Sequence, residues 1–132
     1  MIELTEQSSA FVAAAGLVIT MVRPDRFEGY IELGEEHHQP WGIVHGGVYA
    51  TAVESAASLG ASAFAAERGQ YAVGVNNNTS FLRPLTSGRV DVTAWPIQQG
   101  RTLQLWQVEI VDLAGRLIAT GQLRVANVDL PS

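Results

Sequence analysis

The 132-residue sequence has no cysteine and no lysine, and only 16% of its residues are charged. Without thiols there is no disulfide framework and no thiolate metal site, which fits a reducing compartment. All eight cations are arginines, set against thirteen acids, and the net charge is −5. So acidic a chain does not suit general nucleic-acid binding. Arginine's planar fork suits phosphate, and a compositional preference for arginine over lysine explains the pattern equally well. The N-terminal stretch MIELTEQSSAFVAAAG lacks a basic start followed by an apolar block, so no signal peptide is expected and the location expected is cytoplasmic. Residues 43–66 are long enough to span a bilayer, but they are mostly Ala, Gly and Ser with Glu54 near the centre, where lipid would penalise it, so no membrane span is expected. The three histidines, His37, His38 and His45, have no ligand-like spacing, so no metal and no cofactor are expected.

What the chain does have is hydrophobic content, 47%, and a length suited to one domain over 1–132. Residues 3–14 read as a short amphipathic helix, capped by Thr5 or Ser8 and ended by Gly16. Residues 17–22 and 27–34 read as strands around the turn RPDR. A loop, EEHHQPWGIVHGG, follows, with His37 and His38 expected to be exposed. Residues 46–67 read as the one long helix, stopped by Gly69. Then YAVGVNNNTSFL, RVDVTAWPI, TLQLWQVEIV and RLIATGQLRVAN are rich in β-branched and aromatic residues and read as strands. Their short connections, PLTSG, QQG and DLAG, suit tight turns, so a meander of antiparallel strands is expected. One long helix against a curled antiparallel sheet is an α+β domain. Small residues such as Ala50, Ala52, Ala56, Ala57, Gly60 and Ala61 run nearly all round the helix, which predicts burial on more than one side and hence a second subunit.

The stretch HQPWGIVHGGVYATAVESAAS, residues 38–58, carries the chemistry. Gly46 and Gly47 open the helix, where backbone N–H groups lack intrahelical partners and the helix dipole is positive. Such a cradle suits a carbonyl oxygen that gains negative charge, and a glycine pair also serves a plain tight turn. Glu54 has no basic residue at i±3 or i±4, so a local helical ion pair is absent, while Ser58 at i+4 can donate to it. His45 precedes Glu54 by nine residues, about 13 Å of rise and opposite helix faces. A site containing both would therefore take His45 from one subunit and Glu54 from another. A histidine at a helix start also serves as a cap.

This segment resembles the signature of hotdog-fold, PaaI-like acyl-CoA thioesterases. Gln39, His45, Gly46, Gly47 and Glu54 look like the glutamate-dependent branch, which includes dihydroxynaphthoyl-CoA and 4-hydroxybenzoyl-CoA thioesterases. The segments GQYAVGVNNNTSFLRPLTSGRV and GRTLQLWQVEIVDLAGRLIATGQLRV resemble the family's later strands, so the likeness spans nearly the whole chain. It implies a hotdog fold, a long helix wrapped by a six-stranded antiparallel sheet. It also implies a homo-oligomer, a dimer or a dimer of dimers, with sites at the interface. By the same resemblance Glu54 is the nucleophile or general base and the Gly46 N–H polarises the thioester carbonyl. Gln39 and His45 orient carbonyl or water, and Ser58 positions Glu54 or water. Arg83 belongs to the region near the CoA phosphates, and Gly47, Asn78, Phe81 and Trp41 to the substrate side. Phe81 and Trp41 depart from residues found in some relatives, which bears on the acyl group and not on the reaction. Arg89 and Arg101, at strand ends or turns, are read as surface residues. The implied reaction is hydrolysis of an aryl or medium acyl-CoA. Two rival readings are a hotdog dehydratase or hydratase, and a non-catalytic acyl-CoA-binding protein.

Overall fold

The computed structural model describes residues 9–131. Ser9 caps helix α1 (Ala10–Ala15), its side-chain oxygen accepting the Val12 N–H at 3.2 Å. The expected caps Thr5 and Ser8 lie outside the described residues. Gly16 closes α1 in the left-handed region at φ 82°, where its N–H reaches the Val12 and Ala13 carbonyls. Strands β1 (Val18–Arg23) and β2 (Arg26–Leu33) form a hairpin through Pro24 and Asp25. After a 3₁₀ turn at Glu35–His37 and the loop that follows it, helix α2 runs over Gly46–Ala66. Strands β3 (Gln70–Phe81), β4 (Gly88–Gln99), β5 (Leu103–Asp112) and β6 (Leu117–Asp129) complete the chain.

The six strands form one antiparallel sheet, open at both edges, in the order β1-β2-β4-β5-β6-β3. The expected meander therefore holds for β4, β5 and β6 and fails for β3. β3 pairs with β6, with Gln70 opposite Asp129 and Phe81 opposite Ala119. The six residues after it do not make a hairpin. Leu82 and Arg83 donate their N–H groups to the Ile118 carbonyl at 2.9 and 3.2 Å, and Leu85 then accepts from Val44 at 2.9 Å. The segment crosses the end of the sheet and enters β4 beside β2, where Leu33 faces Gly88. A sheet curled round a helix brings non-neighbouring strand ends within reach of so short a link.

α2 buries one stripe: Tyr49, Ala52, Val53, Ala56, Ala57, Gly60, Ala61 and Ala65. The i, i+3, i+4 recurrence is that of a single helix face, so the residues opposite stay open or half-buried in the chain. The fit is close. A Cβ built on Gly60 would stand 2.5 Å from Trp106 Cη2. The Trp106 indole N–H donates to Gln104 Oε1 at 2.8 Å, and Gln104 Nε2 donates to the Ala61 carbonyl and to Asn127 Oδ1 at 3.0 and 2.8 Å. Each such bond contributes about 1 kcal/mol, and an orphaned partner would cost more. No helix among the described residues is long and apolar enough to cross a membrane.

Candidate active site

The loop before α2 is shaped by its own polar groups. Gln39 donates its N–H to the Ile43 carbonyl at 2.8 Å and accepts the Gly42 N–H at 3.1 Å. Pro40 sits at the second position of this turn, which its fixed φ suits, and Gly42 takes φ 83°. The Trp41 N–H donates to Gln39 Oε1. The amide oxygen of Gln39 is thus occupied, and its NH₂ remains to donate outward. Trp41 itself stands at the loop tip, 84% exposed.

His45 is the N-cap of α2. Its Nδ1 accepts the Gly47 N–H at 2.7 Å, and its carbonyl accepts the Val48 N–H at 3.0 Å. A ring accepting at Nδ1 carries its proton on Nε2, so it is a donor on its other side. The N–H of Gly46 has no hydrogen-bond partner among the described residues. The cap therefore satisfies the second and third amides of the helix and leaves the first, at the positive end of the helix, unengaged.

Phe81, at the end of β3, covers that amide's residue. A Cβ on Gly46 would lie 2.5 Å from Phe81 Cε2, and the Phe81 and Tyr49 rings are 6.2 Å apart. Tyr49 is buried, which pushes its phenol up to about 12. The 82–87 segment closes the other side, with His38 Nε2 donating to the Thr86 carbonyl at 2.7 Å. Arg83 is exposed on this segment. Arg89 lies apart from it, paired with Asp91 at 3.1 Å and stacked 4.0 Å over the Tyr30 ring, and Arg101 is an exposed turn residue.

Glu54 is exposed in the single chain and has no hydrogen bond or ion pair among the described residues. Its carboxylate lies beside β3, and a Cβ on Gly74 would stand 3.4 Å from Glu54 Oε2. Ser58 is half-buried and makes no bond to it. Two grooves flank α1. One, ≈340 Å³, reaches His45 and Gly47, and the other, ≈330 Å³, holds Glu54, Ser55 and Asn77. Phe11 and Thr51 line both and divide them, so within one chain His45 and Glu54 face different spaces.

Three features escaped sequence reasoning. Asn77, not Asn78, lines the Glu54 groove, donating to the Ala50 carbonyl at 3.0 Å and accepting from Thr79 at 2.6 Å. A bulge between Gly74 and Asn76 reverses the strand's alternation, leaving Asn78 exposed. Phe11 was hidden because a short helix gives no hint of what it covers. His37, expected exposed, is 6% exposed: Gly16's left-handed turn brings its backbone against the ring, and the Gly34 N–H donates to His37 Nδ1 at 3.1 Å. The doubled polar residue gave no signal for this. Among the described residues no cluster of three or more His, Cys, Asp or Glu could hold a metal ion.

Residues 42–119 match the family model described as the thioesterase superfamily. The chain is 41% identical to Rv1847 of Mycobacterium tuberculosis (strain H37Rv) over 121 residues, covering 90% of this chain and 86% of that one. It is 32% identical to the proofreading thioesterase EntH of Klebsiella pneumoniae over 118 residues, 89% of this chain and 85% of EntH. The solved structure of Rv1847/MT1895 superposes with a TM-score of 0.90 at 40% identity, over 94% of this chain and 100% of that one. That of the thioesterase HI1161 from Haemophilus influenzae does so with a TM-score of 0.86 at 32% identity, over 95% and 87%. A long helix on an open six-stranded antiparallel sheet, matched at this identity over nine-tenths of its length, makes this chain a member of the thioesterase superfamily with the hotdog fold, a thioester hydrolase.

Proposed function

We propose that the chain hydrolyses acyl-CoA thioesters by the glutamate-dependent route, in sites assembled between two copies. The observation that carries this reading is the position of Glu54. It is an exposed carboxylate, unpartnered among the described residues, beside β3, an edge strand that also exposes Tyr71, Val73 and Val75. A long apolar strand edge left unpaired is a template for another strand. A second copy seated there would bring its own α2 start toward this Glu54, joining the two halves that one chain keeps apart.

In that site the thioester oxygen sits on the Gly46 N–H, whose alignment with the helix dipole favours the charge that develops on attack. The Gln39 NH₂ and His45 Nε2–H are the further donors for carbonyl or water. Glu54 either attacks the carbonyl carbon, giving a mixed anhydride that water then opens, or takes a proton from the attacking water. In both cases the CoA thiolate leaves and a carboxylic acid forms. Ser58 lies one turn on and orients Glu54 or the water. Arg83 meets the anionic end of CoA, and Gly47, Phe81 and Trp41 bound the substrate, an aryl or medium acyl group, with Asn77 in the place expected of Asn78. The assembly is a dimer or a dimer of dimers.

The test is thiol release from a panel of aroyl- and alkanoyl-CoAs by wild type and Glu54→Ala. Release by wild type alone is expected. Release by both removes Glu54 from the chemistry. Release by neither, with both folded, points to an acyl-CoA-binding protein.

A further inference from the structure

We propose that His37 is a specificity-determining residue. Its Nε2–H is the donor that reads an uncharged oxygen substituent on the acyl group, a ring hydroxyl above all, in the groove between α1 and the loop before α2. This inference rests on the thioesterase reading.

The groove of ≈340 Å³ has apolar walls from Phe11, Ala14, Ala15 and Val48, and it opens onto His45 and Gly47, beside the amide that holds the carbonyl. That volume is at the small end of ligand pockets, roughly 300–1,000 Å³, and suits one ring better than a long chain. His37 lines it although its side chain is only 5% exposed. The Gly34 N–H donates to Nδ1 at 3.1 Å, so Nδ1 is unprotonated and the ring proton is on Nε2. Nε2 has no partner among the described residues. Gly16 packs against the ring, and a Cβ there would stand 3.1 Å from Nε2. At φ 82° that position favours glycine, so no side chain from position 16 covers the nitrogen.

The His37 carbonyl also holds the His45 N–H at 2.8 Å, which fixes the ring's place relative to the start of α2. An acyl group bound by its carbonyl at Gly46 would thus meet a donor at a set depth. Glu36 lines the same groove, its Oε1 3.4 Å from His37 Nδ1. An anionic substituent would face that charge, whereas a neutral hydroxyl would not.

The experiment compares kcat/KM for benzoyl-CoA and the three monohydroxybenzoyl-CoAs in wild type, His37→Asn and His37→Gln. Asparagine keeps an acceptor near Nδ1 for Gly34 and loses the donor at Nε2, while the amide nitrogen of glutamine reaches the Nε2 position. Wild type is expected to favour at least one hydroxylated isomer by about tenfold or more. His37→Asn is expected to bring that ratio close to one, and His37→Gln to restore part of it. The same ratio in all three proteins overturns the inference. If wild type releases no thiol from any ester, the thioesterase reading fails by itself. The groove is then read by calorimetry with the thioether analogues phenacyl-CoA and hydroxyphenacyl-CoA, where equal affinities in wild type overturn it. Should both variants misfold, Ala14→Trp fills the groove from the exposed side of α1. It is expected to lower kcat/KM for the favoured hydroxybenzoyl-CoA by about tenfold, and no change overturns the inference.

Discussion

The ring of Phe81 occupies the space that a side chain at Gly46 would need, since a Cβ there would lie 2.5 and 2.6 Å from Phe81 Cε2 and Cζ. Gly46→Ala therefore forces the ring away or tilts the first amide of α2. Loss of one oxyanion donor costs about 10²–10³ in kcat, and Gly46→Ala is expected to approach that loss. Phe81→Ala in the same chain frees the space, and the double variant is expected to regain at least tenfold. A double variant no better than Gly46→Ala would show that the clash is not what the alanine disturbs.

Val73 and Val75 are 41% and 59% exposed on the edge strand β3. Lysine at either position is tolerated by the isolated chain, within about 0.5 kcal/mol for an exposed site, but a charged edge blocks strand addition. Val75→Lys is expected to sediment as a smaller species than wild type and to lose thioesterase activity in step. Full activity in a monomeric variant would refute sites shared between copies.

Gly60 faces Trp106 so closely that an added Cβ would sit 2.5 and 2.6 Å from ring carbons Cη2 and Cζ3. Gly60→Ala gains helix propensity but overpacks the core, for a net loss of about 1–3 kcal/mol. Urea denaturation is expected to show a lower midpoint at an unchanged slope. A stabilised variant would mean that the indole can shift at no cost.

Asp112 closes the β5–β6 turn. Its carboxylate accepts the Arg116 backbone N–H at 2.8 Å, the Arg116 guanidinium at 2.8 Å and the Ala114 N–H at 3.1 Å. These partners, the Arg116 backbone N–H foremost, hold the group below its usual 3.8 against a smaller opposing effect of burial. A depressed folded-state value means that the unfolded chain takes up the proton first, so stability falls as pH falls. The contribution is full above the ordinary carboxylate value and is lost on acidification through the folded-state value. Melting temperature is expected to fall less steeply for Asp112→Asn than for wild type between about pH 5 and pH 2. Parallel curves would assign the acid sensitivity to other carboxylates.

Much of this was legible in the chain because local rules were obeyed. The glycine-led segment at 46, with Glu54 its one charge, is the long helix, and the β-branched runs after Gly69 are strands, to within a residue or two. The loop glycines and His45 stand where the motif suggested. What the sequence hid depends on partners distant along the chain. The neighbour of β3 is chosen by the curl of the sheet, and the extra residue at Val75 turns Asn77 inward in place of Asn78. His37 is buried because a glycine twenty-one positions earlier folds back on it. The small residues that run round α2 predict burial on more than one side. Within one chain they pack on one.

The crossing of the 82–87 segment also bears on timing. β3 leads directly into β4 but can hydrogen-bond only to β6, three strands later. Pairings so far apart in sequence form late, because a long loop must close before any contact repays it. Until β6 docks, the strand beside Glu54 has no strand to pair with, and the free edge that a second copy would use does not exist. The other four strands can already be in place, in the order β1-β2-β4-β5, around a helix whose Glu54 side is still unbounded. On the proposed reading a half-folded chain is therefore an inert one, and competence for both assembly and turnover arrives in a single, final closure.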